Sequence, residues 1–79
     1  MNNNKNEKLI SLRVVKGLSQ DEAANLIGIS RSMLAMMELG KRLGRYPTLK
    51  KVADFYGSTV EEIFYAQNAH VKRHKTKSA

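Results

Sequence analysis

Arg31, Ser32, Ala35 and Met36 share one face of any helix that holds them, at about 100° per residue. Their chemistry suits the edge of a base pair. The Arg31 guanidinium is a planar fork able to donate twice to guanine O6 and N7, a contact that discriminates by about 1–3 kcal/mol. Its competing role is a phosphate contact. Ser32 donates or accepts, whereas Ala35 and Met36 offer only apolar contact, most usefully to a thymine methyl. Leu34 and Met37 point the other way and belong to the core. Met33 is boundary packing.

A second group fits the phosphate backbone. Lys41, Arg42 and Arg45 follow the same segment, and a mobile solvated loop is their bland alternative. Gln20 and Ser30 stand at helix starts, where free N–H groups attract an anion, though N-capping competes for Ser30. Tyr46 is expected to pack over the fourth helix.

No catalytic arrangement competes with this polyanion chemistry. Asp54, Glu61 and Glu62 fit helix surfaces and caps, and no Ser/His/Asp set or paired-carboxylate site is evident, so no enzyme activity is expected. His70 and His74 have the i, i+4 spacing of metal ligands but lack a third ligand; neither metal nor cofactor is expected. The absence of cysteine excludes disulfides and thiolate metal sites. No apolar run is long enough to cross a membrane, and a cytoplasmic protein is expected.

Charge supports the same surface. The net charge is +7 over 79 residues, from 14 Lys and Arg against 7 Asp and Glu. Positions 31–51 hold Arg31, Lys41, Arg42, Arg45, Lys50 and Lys51 against the single acid Glu38. Asp21, Glu22, Glu61 and Glu62 instead occupy first turns of helices, where the helix dipole favours them.

The elements that position these groups are short helices. The first runs from about Glu7 to Lys16, with Leu9, Leu12 and Val15 inward and Gly17 ending it. Ser19 and Glu22 form a capping box for a helix ending near Ile27. Ala23 and Ala24 permit close approach, Gly28 and Ile29 turn the chain, and Ser30 caps a third helix to Leu39. Ile27, Ile29, Leu34 and Met37 form the seam between these two helices, a helix-turn-helix whose second member meets the major groove. Gly44 keeps the basic loop flexible, and Pro47 opens a fourth helix carrying Leu49, Val52, Ala53 and Tyr56 to Gly57. Thr59-Val60-Glu61-Glu62 is a second capping box, opening a fifth helix through Ile63 and Phe64. The expected architecture is an all-α five-helix domain over residues 7–66, between a flexible segment 1–6 and a basic flexible tail 67–79. That tail, with Lys72, Arg73, Lys75 and Lys77, has two alternatives: a nucleic-acid arm or a dimer element.

Leu12-Arg13, Lys16-Gly17-Leu18-Ser19-Gln20, Ala24, Gly28-Ile29-Ser30-Arg31, Glu38, Gly40-Lys41-Arg42, Ala53 and Glu62-Ile63-Phe64 fall in gapless register. This pattern resembles the DNA-binding domain of the phage Cro and lambda-repressor family, the XRE-type regulators. The resemblance implies a compact five-helix lambda-repressor-like fold that binds double-stranded operator DNA, usually as a dimer, and most often represses transcription. It also implies an ion pair between Arg13 and Glu38, and a loop at Lys41, Arg42 and Arg45 that follows the DNA backbone. The chain departs from the family in carrying Met36 and Leu39 where polar or basic residues are frequent, and in placing Pro47 late. The expected function is a sequence-specific, dimeric DNA-binding regulator, with Leu39, Phe55, Phe64 and Tyr65 as its dimer contact. The alternative is an antitoxin-type interaction module that binds DNA secondarily, which a toxin-like neighbouring reading frame would favour. An RNA binder lacks its aromatic platform here.

Overall fold

Serine, threonine and asparagine side chains start every helix but the fourth, and glycines end most of them, along residues 5–65, the part of the chain that the computed structural model describes. The helices are α1 (Glu7–Val15), α2 (Gln20–Ile27), α3 (Arg31–Glu38) and α4 (Tyr46–Tyr56), followed by a π-wound turn, α5 (Glu61–Tyr65). The expected all-α architecture of five elements is the one observed. The expected tail 67–79, including His70 and His74, lies outside the described residues.

The capping boxes are in place. The Ser19 Oγ accepts from Glu22 N at 3.0 Å and the Glu22 carboxylate accepts from Ser19 N at 2.9 Å. At α5, Thr59 Oγ1 accepts from Glu62 N at 3.0 Å, while the Glu62 carboxylate is drawn to the Ser58 hydroxyl at 2.6 Å and lies 3.4 Å from Thr59 N. The Ser58 hydroxyl, helped by Thr59 N–H, holds the Glu62 carboxyl below the ordinary range. Gly28, at φ +94°, gives the left-handed turn between α2 and α3.

The core draws from every element: Leu9 of α1, Ala23, Ala24 and Ile27 of α2, Leu34 and Met37 of α3, Leu49, Val52, Ala53 and Tyr56 of α4, and Val60 and Ile63 around α5. Ala23 and Ala24 are fully buried or nearly so, which lets α2 and α3 pack closely, and Ile29 completes the seam from a half-buried position. One apolar expectation is corrected. Val15 is 82% exposed, because it lies about 120° around α1 from Leu9 while Leu12 packs on the core. Tyr46, at the first turn of α4, is 60% exposed and lines a depression with Lys50, Ala53 and Asp54 of the same helix.

Asn6 corrects the N-terminal boundary. It is buried and caps α1, its side-chain oxygen accepting from Leu9 N at 3.0 Å. Its backbone N–H donates to Glu38 O at 2.8 Å and its Nδ2 to Ile63 O at 3.0 Å. One residue therefore ties the start of α1 to the end of α3 and to α5. This brings the exposed Leu39 and Tyr65 to the same end of the molecule.

Tyr56 has a buried hydroxyl with no hydrogen-bond partner among the described residues. Burial pushes its pKa up, the nearby Glu38 carboxylate adds to this, and Arg13 opposes it. The folded state thus favours the neutral phenol. That preference contributes stability below the unfolded value of about pH 10 and loses it as pH rises beyond. Chemical denaturation should show a steeper alkaline decline in the parent than in Tyr56→Phe. At pH 7 the variant should be unchanged or more stable by up to about 1 kcal/mol, because an unsatisfied hydroxyl is removed. A loss above that size in Tyr56→Phe would mean that the hydroxyl has a partner.

Candidate nucleic-acid interface

Ser30 opens α3 with extended backbone, and its Oγ accepts from Met33 N at 3.0 Å. The N-cap role is therefore filled, and the hydroxyl proton stays available to an outside acceptor. From this start α3 turns Leu34 and Met37 inward and leaves Arg31, Ser32 and Met36 exposed, with Ala35 half-buried between them.

Ser30, Ser32, Met33, Met36 and Arg42 line one shallow depression on this side. Arg42 reaches it because its backbone N–H donates to Met36 O at 3.3 Å, as that of the neighbouring Lys41 does at 2.9 Å. The chain thus folds back over the end of α3 instead of leaving it. Arg31 stands at the opposite edge, beside a second depression shared with Asp21, Glu22, Asn25 and Ile29. Among the described residues the Arg31 side chain makes no hydrogen bond or ion pair. Arg45 is exposed at the N-cap of α4, beyond the depression.

The field of this side is set by one burial. Glu38, the sole acid between positions 31 and 51, is only 2% exposed. Its carboxylate accepts from Arg13 Nε at 2.7 Å, Arg13 Nη2 at 3.0 Å and Gln20 Nε2 at 2.9 Å. This is the bidentate geometry that guanidinium favours, and the hydrogen bond to Glu38 raises the Arg13 pKa further. With Glu38 turned inward and neutralised, segment 31–51 presents cations to solvent without an exposed carboxylate of its own.

Gln20 differs from the other expected phosphate contacts. Its amide is committed to Glu38 on one N–H, leaving the second N–H and the first-turn backbone of α2 for an anion. Asp21 and Glu22 crowd that turn. Met33 is half-buried against the core, and its terminal methyl lies on the side of Gly44 where a Cβ would project. No group of three or more His, Cys, Asp or Glu able to hold a metal occurs among the described residues, and no described helix is long and apolar enough to cross a membrane.

Comparison with known proteins places this geometry. The family model described as Helix-turn-helix, HTH_3, matches residues 9–63. The chain is 36% identical over 56 residues to the cryptic phage CTXphi transcriptional repressor RstR of Vibrio cholerae, covering 71% of this chain and 50% of that protein. It is 34% identical over 58 residues to the HTH-type transcriptional activator BcrR of Enterococcus faecalis, covering 73% of this chain and 28% of the relative. The crystal structure of an HTH_3 family transcriptional regulator from Vibrio cholerae matches with a TM-score of 0.65 at 32% identity, over 78% of this chain and 35% of that one. The matched region thus spans half or less of each of these proteins.

Proposed function

Since the chain belongs to the HTH_3 helix-turn-helix family, we propose that it is a DNA-binding transcription regulator that inserts α3 into the major groove of double-stranded DNA. The observation that carries this reading is the exposed face of Arg31, Ser32 and Met36, flanked by Lys41 and Arg42. Arg31, Ser32, Ala35 and Met36 meet base edges. Ser30, Lys41, Arg42 and Arg45 meet phosphates, and Gln20 adds its free N–H. Repression is the favoured outcome, supported by the resemblance to the phage repressor.

The regulator binds a two-fold symmetric operator as a homodimer. Leu39 and Tyr65, at 44% and 39% exposure, lie at the end of the molecule that Asn6 draws together and supply apolar surface for the second copy. Selection of bound fragments from random duplexes tests this directly. The expected result is a palindromic motif with half-sites about one helical turn apart. Enrichment of a single unrepeated half-site would overturn the dimer, and no enrichment would overturn sequence-specific reading.

A further inference from the structure

We propose that Asn6 is a positioning residue that holds α5 beside the end of α3 and so sets the spacing at which two copies of this chain present α3 to DNA. This rests on the dimer reading above and names the residue that fixes its geometry. Tyr65 lies on α5 and Leu39 follows α3, so the surface offered to a second copy is divided between two elements. Asn6 is bonded to both. Its backbone N–H donates to Glu38 O, one residue before Leu39, and its Nδ2 donates to Ile63 O, two residues before Tyr65.

α5 is five residues long and turns Ile63 into the core, with Phe64 half-buried against it. Such apolar packing is non-directional, so it sets how near α5 lies without fixing its rotation. A hydrogen bond adds direction. The Glu62 carboxylate turns back to Ser58 and Thr59 and closes the cap of α5 itself. The Asn6 amide instead reaches across 57 positions of sequence, and its burial shields the bond to Ile63 O from competing water. Asn6 Oδ1 is meanwhile the acceptor that caps α1 through Leu9 N, which determines the way the amide points. In a two-fold dimer any shift of α5 relative to α3 is repeated in the second copy, so it acts twice on the separation of the two α3 helices. One base pair added between half-sites moves them apart by about 3.4 Å and rotates them by about 35°. A dimer with α5 fixed beside α3 resists that change, and one with α5 loose accommodates it.

Asn6→Asp isolates the tie. The carboxylate keeps the side-chain shape and caps α1, and the backbone N–H is untouched, but no donor is left for Ile63 O. Should Asn6→Asp fail to fold by circular dichroism, Asn6→Ser also keeps the cap and removes the donor. The experiment measures affinity for duplexes carrying two selected half-sites at the preferred spacing, at one base pair more and one fewer, and for a single half-site. The parent should favour its own spacing by about tenfold over either neighbour, and in Asn6→Asp this preference should fall below about threefold. All three spacings should still bind the variant more tightly than the single half-site, whose affinity should match the parent's. Ser19→Ala, which removes the cap of α2, should lower thermal stability and keep the parent preference, separating lost spacing from lost stability. A folded Asn6→Asp or Asn6→Ser with the parent preference overturns the role of Asn6. So does a variant whose three spacings all fall to the level of the single half-site, since the tie would then serve pairing of the copies and not their spacing. A parent that binds every spacing equally overturns the dimer reading itself, and this proposal with it.

Discussion

Glu38→Ala should destabilise the domain by about 3 kcal/mol, a large share of what a chain of this size has in total. The carboxylate is buried, and it joins three elements: Arg13 of α1, Gln20 of α2 and its own α3. Removing it strands the Arg13 guanidinium, whose side chain is only 16% exposed, without an anion. Arg13 keeps its bond to Leu18 O at 2.9 Å, which anchors the stranded charge instead of releasing it to water. The melting temperature should fall by roughly 4–8 °C for each kcal/mol lost. Replacing both partners, as in Arg13→Met with Glu38→Leu, should recover most of the loss, because no buried charge is left alone. Urea unfolding checks both; a loss below about 1 kcal/mol in Glu38→Ala would show that the pair is solvated and does not hold α3.

Arg31→Ala should reduce preference at one base pair of each half-site by about tenfold to a hundredfold, with much smaller effects at other positions. Arg31 stands exposed at the first residue of α3 and makes no ion pair among the described residues, so the loss belongs to recognition and not to folding. Arg31→Lys distinguishes the two roles open to this side chain. Lysine keeps the charge but lacks the two-donor fork, so it should restore overall affinity without restoring the preference. Competition titrations with the selected duplex and its single-base variants read both quantities. A uniform loss across all sequences, repaired by lysine, would move Arg31 to the phosphate backbone.

Local signals carried most of the fold into the sequence. Ser19 with Glu22, Ser30, Pro47, and the glycines at positions 28 and 57 act within one helical turn, so their roles follow from near neighbours. The helix-turn-helix seam is legible for the same reason, since Ala23, Ala24, Ile27, Leu34 and Met37 recur at helical spacing. What escapes depends on distant partners. Asn6 looks like part of a polar lead-in until Glu38 and Ile63 are seen beside it. The amide of Gln20 turns to a carboxylate 18 positions away. Val15 reads as inward from its spacing yet faces water, because it sits about 120° around α1 from the buried Leu9.

Amide chemical shifts of the whole chain, followed as a mixed-sequence duplex is added, map the contact surface whatever the operator sequence is. The largest changes are expected at positions 30–36 and 41–45, with little response along the outer face of α1. Changes centred on α1 instead, with Arg31 and Met36 silent, would mean that nucleic acid meets another side of the bundle and that α3 does not enter the groove.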